Sequence, residues 1–205
     1  MKVACLFSGG KDSTLASFVM KSSGFEVVLI TFIPENKESY MLHSKALEVV
    51  ELQAKAMEIE IKINHISGEK EREVEEMLSF IDKTKVDAIC SGALSSEYQK
   101  QRIDYIAEQL SIPSFAPLWH KFPYEDYKKM KIIFSSVSAM GLEKKHLGDN
   151  VVPYLKRFNA FEGGDAETLV VDAPFFEKKL ELEYDVRWNG YDGEIIVKNA
   201  WLEDK

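Results

Sequence analysis

Cysteine is scarce in this 205-residue chain, with only Cys5 and Cys90. Both sit in apolar, strand-like runs and read as two isolated, buried small hydrophobes, which excludes a disulfide framework and a cysteine-based zinc site. Long apolar runs are missing too. The longest, Val27 to Ile33, is interrupted by Thr31 and falls well short of the roughly 18 residues a membrane span needs. Ahead of a Ser-Gly-Gly run the N-terminus offers only Val3 to Phe7, too short for the apolar core of a secretory signal, so a cytoplasmic protein with no membrane partner is expected. Basic charge is also in deficit: 26 Lys and Arg stand against 34 Asp and Glu, a formal net charge of -8 with a pI near 5.2. Such a surface has no global attraction for nucleic acid, which disfavours RNA as a partner while leaving a local basic patch open. No Ser/His/Asp triad, HExxH pattern, internal repeat or low-complexity linker is present.

What remains is an ordinary globular composition, 45% hydrophobic and 29% charged, long enough for one large domain or two small ones. Up to about Pro117, short apolar strands alternate with amphipathic helices. Strands are expected at Val3 to Phe7, Phe25 to Ile33, Ile59 to Ile63, Val86 to Cys90 and Ile112 to Phe115; helices at Lys11 to Lys21, Leu42 to Met57, Glu69 to Phe80 and Gln99 to Leu110. This βα alternation predicts an α/β fold, a doubly wound parallel five-stranded sheet with helices on both faces, because parallel neighbours require crossover connections. Ligands of such sheets bind beyond the carboxyl ends of the strands, which directs attention to the loops after Phe7, Ile33 and Cys90. From Trp119 onward the texture changes. A helix over Glu125 to Phe134 and strands at Leu169 to Asp172, Lys179 to Trp188 and Ile195 to Val197 predict a smaller α+β region, with a type I′ hairpin at Asn189-Gly190. The expected division is 1–118 and 119–205.

Ser8-Gly9-Gly10-Lys11-Asp12-Ser13 follows the first strand and opens the first helix. Two glycines allow close backbone approach, the helix start offers unpaired N–H groups, and hydroxyls and an ammonium add donors, which together make a phosphate cradle. The side chains of Lys11 and Ser13 are expected to face a solvent-filled cleft. The spacing differs from the GxxxxGK[ST] nucleotide loop. Two later stretches carry comparable chemistry. Ser91-Gly92-Ala93-Leu94-Ser95-Ser96-Glu97-Tyr98-Gln99-Lys100-Gln101-Arg102 follows the fourth strand, with Gly92 and Ser95 facing the cleft at the switch point. There Glu97 is a site residue or a helix-capping acid, and Arg102 a fork for a phosphate or carboxylate or else a solvated charge; Tyr98 reads as packing. In Glu162-Gly163-Gly164-Asp165-Ala166-Glu167-Thr168, the glycines allow a turn that gathers three carboxylates. A magnesium ion, an ammonium ion or a substrate cation is the natural occupant, and a solvated acidic turn is the plain alternative. Trp119 offers a face to a quaternary ammonium or belongs to the core. His43 lines the cleft or caps a helix.

The Ser8–Ser13 run resembles the pyrophosphate loop of the N-type ATP pyrophosphatases, which cleave ATP to AMP and pyrophosphate and so activate an oxygen that a nitrogen or sulfur nucleophile then attacks. The two later stretches resemble the G-A-hydrophobic-x-S-x-Y-Q-x-x-R and E-G-G-E-Y-E-T signatures of the diphthine-ammonia ligases. Tyr40 to His43, Pro117-Leu118-Trp119, Leu147-Gly148 and Asp172-Ala173-Pro174 extend the likeness along nearly the whole chain. It departs at Asp165, where the family has glutamate, at Ala166, where it has an aromatic residue, and in a shorter stretch from Leu147 to Glu162. These departures bear on substrate identity more than on ATP chemistry.

The resemblance implies an ATP-dependent ligase that amidates diphthine on translation elongation factor 2 with ammonium, giving diphthamide. It implies ATP and Mg2+ as cofactors, with phosphates on Ser8, Gly9, Gly10, Lys11, Asp12 and Ser13, adenine near Thr31 and Phe32, and Gly92 and Ser95 across the cleft. Asp12 would hold the metal. Catalytic roles fall to Lys11, Asp12, Arg102 and Glu167, and substrate contacts to His43, Glu97, Tyr98, Gln99, Arg102, Glu162, Gly163, Gly164, Asp165, Glu167 and Thr168. A homo-oligomer is compatible with all of this. The competing readings are a tRNA-thiolating relative, which would deploy paired cysteines, and a nucleotide-binding module without turnover.

Overall fold

The computed structural model describes residues 1–35, 49–69, 72–138, 141–157, 161 and 164–205. They form two compact units. One takes the described residues of Met1–Ser8, Asp12–Ser44 and Ile59–Lys121, the other those of Gly9–Lys11, Lys45–Glu58 and Phe122–Lys205.

The first part of the chain gives β1 (Lys2–Leu6), α1 (Lys11–Ser22), β2 (Glu26–Pro34), α2 (Val50–Ala56), β3 (Glu60–Ile66), α3 (Arg72–Thr84), β4 (Ala88–Cys90), α4 (Glu97–Gln109) and β5 (Ser114–Phe115). The strands pair in parallel in the order β3-β2-β1-β4-β5. Continuous apolar runs suit this sheet because both faces are covered. Ala4, Val28, Ile30, Phe32 and Ile89 pack on Val74, Met77 and Ile81 of α3 and on Ile103, Ile106 and Ala107 of α4. Right-handed crossovers put α1 against the opposite face. Each fully buried aliphatic side chain contributes about 1.5–3 kcal/mol. Strand order reverses between β1 and β4, so the loops leaving their carboxyl ends start side by side. Of the helix expected over 42–57, the part Val50–Ala56 is helical; residues 42–48, and with them His43, lie outside the described residues.

In the second unit, α2 is joined by α5 (Tyr124–Tyr127), β6 (Lys131–Val137), β7 (Ala166–Asp172), β8 (Lys178–Trp188) and β9 (Gly193–Asp204). The strands form an antiparallel sheet in the order β7-β6-β9-β8. The helix expected over Glu125 to Phe134 is corrected: one helical turn ends at Tyr127 and a strand follows. Tyr127, Met130 and Phe134 keep helical spacing, but Ile132, Ile133 and Phe134 are all buried. β-branched residues covered on both sides favour a strand between neighbours. The hairpin after β8 also differs from expectation. It is a four-residue loop, Asn189 to Asp192, in which the Asn189 side chain accepts from the Tyr191 and Asp192 amides at 3.0 Å and only Gly190 takes a positive φ, +107°. β9 runs on to Asp204 because cross-strand pairing with β8 continues to Lys178. No helix among the described residues is long and apolar enough to cross a membrane.

Candidate functional site

Three motifs far apart in sequence meet at the loop after β1, each contact lying inside one unit. In the parallel-sheet unit, the Ser8 amide donates to the Ser13 hydroxyl oxygen at 3.2 Å and the two hydroxyls lie 3.1 Å apart. The loop after β4 closes on the start of α1. A Cβ on Gly92 would lie 2.7 Å from the Asp12 carbonyl carbon and the Ser13 nitrogen, so only glycine admits this approach. Beyond it Ser95 and Glu97 are exposed, and Ser96 caps α4 by accepting from the Gln99 amide at 3.4 Å. Glu97 is therefore not the capping side chain. Tyr98 packs on the edge of the core and carries the Arg102 guanidinium, whose central carbon is 3.6 Å from the ring centroid. That stack orients Arg102 as no solvated charge would be. The Thr31 hydroxyl donates to the Phe7 carbonyl at 2.7 Å, and Phe32 packs edge-on against Phe80. Both side chains are thus engaged within the protein, on strand positions paired with β3. Half-buried Trp119 presents its face to the Lys100 ammonium, 5.6 Å from the ring centroid.

Cys5 and Cys90 are not isolated from one another, as the sequence suggested. They are register partners on β1 and β4. The Cys5 thiol beside it, and then burial, push the Cys90 thiol far up, which keeps the more suspect of these two buried cysteines a neutral thiol.

The second unit holds the middle of the loop. Gly9 takes a positive φ, +77°, and its carbonyl accepts from the Gln53 side-chain amide at 2.9 Å and from the Val170 amide at 3.1 Å. The same Gln53 nitrogen donates to the Val170 carbonyl at 2.7 Å. The Lys11 amide donates to the Thr168 hydroxyl oxygen at 3.2 Å, joining the first motif to the third. The Lys11 side chain is 4% exposed with its ammonium 5.7 Å from the centroid of the buried Tyr127 ring, and Ser13 is 8% exposed. This corrects the expectation that both face a solvent-filled cleft: the aromatic face lets the ammonium be covered. Gln53 escaped the sequence reading because its full burial, with Val50, Ala54 and Ala56 of α2, is decided by tertiary packing; a polar residue at the apolar spacing of Val50 and Ala54 was the available signal.

The acidic turn is held by its backbone. Ser138 donates through its hydroxyl to the Gly164 carbonyl at 2.7 Å and through its amide to the Asp165 carbonyl at 2.9 Å. Asp165, Glu167 and Thr168 are half-buried. Glu162 and Gly163 lie outside the described residues, and among the described residues no three carboxylates, histidines or cysteines gather as a metal site.

Comparison with known proteins bears on this arrangement directly. The profile of the diphthamide synthase N-terminal domain matches residues 1–114, and that of the diphthamide synthase C-terminal domain matches residues 120–202. The chain belongs to the diphthamide synthase family. Among its relatives is the diphthine–ammonia ligase of Mus musculus, 28% identical, with 89% of this chain and 83% of that protein covered. The enzyme of the same name from Homo sapiens is 28% identical over 98% of this chain and 86% of its own. A crystal structure from Methanocaldococcus jannaschii, described as a tRNA methyltransferase subunit, is similar at 19% identity and a TM-score of 0.49, covering 85% of this chain and 98% of that one. In this diphthamide synthase chain the N-terminal match takes in the loop, Gln53 and Arg102, and the C-terminal match takes in Tyr127, the acidic turn and β7.

Proposed function

We propose that this chain is an ATP-dependent ligase that amidates the diphthine carboxylate of translation elongation factor 2 with ammonium, releasing AMP and pyrophosphate. The observation that carries this reading is the convergence on one six-residue loop: Gly92 of the second motif packs on its helix end, and Thr168 of the third bonds to Lys11. The loop fits a polyphosphate. Gly9 has a conformation suited to glycine, the helix that follows has twelve residues, and a covered ammonium stands at its start.

ATP would be held by Ser8 to Ser13, with Gly92 and Ser95 beside it and the adenine near Thr31 and Phe32, and when bound it supplies the activated phosphorus that draws off the carboxylate oxygen. Lys11 and the loop amides offset charge that builds on the departing phosphates. Magnesium fits Asp12, because this ion is ordinarily bound by one or two carboxylates together with phosphate oxygens. Arg102, stacked on Tyr98, orients the substrate carboxylate, with Glu97 and Gln99 on the same helical turn. Glu162, Asp165 and Glu167 are assigned the cationic end of diphthine or the incoming ammonium, with Gly163, Gly164, Thr168 and His43 as further substrate contacts. Residues 1–118 serve as the nucleotide-binding domain and 119–205 as the substrate-binding domain of a cytoplasmic enzyme.

Thiolation of tRNA finds no support in two buried cysteines, of which Cys90 is held as a neutral thiol. The deciding experiment measures pyrophosphate release from ATP with diphthine-bearing elongation factor 2, with and without ammonium. Release coupled to diphthamide formation and dependent on both is expected; ATP binding without release leaves a nucleotide-binding module. Glu167→Gln sharpens the assignment. It should lower amide formation by about one to two decades, corresponding to about 1.5–3 kcal/mol for a lost charged contact, with ATP affinity kept. A raised magnesium requirement would instead make Glu167 a metal ligand.

A further inference from the structure

We infer that Gln53 is a positioning residue for the phosphate loop, fixing the Gly9–Gly10 peptide so that its amide faces the anion; this rests on the reading of that loop as the polyphosphate site. Two adjacent glycines can rotate a shared peptide plane at little steric cost, and a flipped plane would turn a carbonyl oxygen toward the anion. The Gly9 carbonyl is held against this by the Gln53 amide nitrogen at 2.9 Å and the Val170 amide at 3.1 Å. In a trans peptide the N–H lies on the side opposite the C=O, so pinning the carbonyl toward β7 sends the Gly10 N–H the other way.

The environment of Gln53 shows how much is committed to this bond. The residue is fully buried in α2, and one nitrogen serves both the Gly9 and the Val170 carbonyls. With two carbonyls as partners the amide orientation is forced, since the oxygen could donate to neither. Its oxygen is buried without a hydrogen-bond donor, a cost that an apolar residue in the same place would not carry. That oxygen sits 2.2 Å from where a Gly9 Cβ would be, so glycine and glutamine fill one space between them. Gln53 holds no substrate and acts only through the loop.

The test uses the full chain, with ATP and inorganic pyrophosphate as probes. Gln53→Met keeps the length of the side chain and removes its donors. It should raise the KM for ATP and the Kd for pyrophosphate about tenfold to a hundredfold, with kcat at saturating ATP nearly retained. A merely structural role would lower the melting temperature and the active fraction and leave KM and Kd alone, and that result overturns the inference. Should the methionine variant fail to fold, Gln53→Glu decides. Its carboxylate repels both carbonyls, but its protonated form donates one hydrogen bond, so the gap in pyrophosphate affinity to wild type should narrow as pH falls. A gap that does not change with pH, or no gap at all, overturns it. Wild-type protein that binds neither probe overturns the nucleotide reading and this inference together; wild type that binds, with variants that bind equally, overturns the role of Gln53 alone.

Discussion

β1 and the β8–β9 ribbon are opposite solutions to holding a strand. β1 is five residues long, flanked on both edges and covered on both faces, with Val3, Ala4 and Cys5 at 1% exposure or less. β8 and β9 run for 11 and 12 residues, and past Ile195 β9 has β8 as its one strand partner among the described residues. Their solvent face is laced by ion pairs: Lys179 with Glu203 at 2.7 Å and Glu181 at 3.1 Å, and Lys198 with Asp185 at 2.8 Å. Burial holds the first and cross-strand pairing the second, so the two regions should answer differently to the same kind of substitution. The stiff region is the one from which the phosphate loop is launched.

The largest effect should come from the parallel sheet. Ile30→Ala, at a position 1% exposed, should cost about 2–5 kcal/mol in urea unfolding; a loss below 1 kcal/mol would mean that the sheet is not held by packing. Lys11→Met comes next, in activity. Losing the covered ammonium should raise the KM for ATP by about one to two decades, as expected for about 1.5–3 kcal/mol of charged hydrogen bonding, with stability kept. Gly92→Ala then tests how tightly the loops after β1 and β4 abut. Its added methyl meets backbone, so a strain of about 1–3 kcal/mol should appear as a lower melting temperature together with slower pyrophosphate release. The double variant Cys5→Ala with Cys90→Ala should keep its activity per folded molecule; loss of chemistry in a folded protein would revive sulfur transfer. At the small end, Lys179→Ala on the ribbon should leave the urea midpoint unmoved, because exposed ion pairs are screened and weak. A clear drop there would erase the contrast between the regions.

The same contrast governs what could be read from the sequence. Every strand of the parallel sheet was legible, because a run such as Val3-Ala4-Cys5 has no polar residue to spoil it and the intervening helices carry their own period. β6 was misread because Tyr127, Met130 and Phe134 imitate a helix face while Ile132 and Ile133 make the strand, and only the neighbours β7 and β9 decide between them. The three motifs at the candidate site were legible as chemistry. Their meeting was not: spacing cannot show that Thr168 receives the Lys11 amide, that Tyr127 covers the Lys11 ammonium, or that Cys5 and Cys90 share a register.

The Lys11–Thr168 hydrogen bond spans 157 residues, and that separation carries a consequence for synthesis. As the chain emerges, the whole parallel sheet and all of Ser8 to Ser13 are present once β5 is made. Yet the Thr168 and Val170 partners of the loop arrive only with β7, well after β5. Long-range closure of this kind is slow, and a nascent or truncated chain ending at Lys121 would bear the glycine loop and Gln53 without the Thr168 and Val170 partners. The last bonds that hold the loop are therefore made only after the fold that displays it already exists.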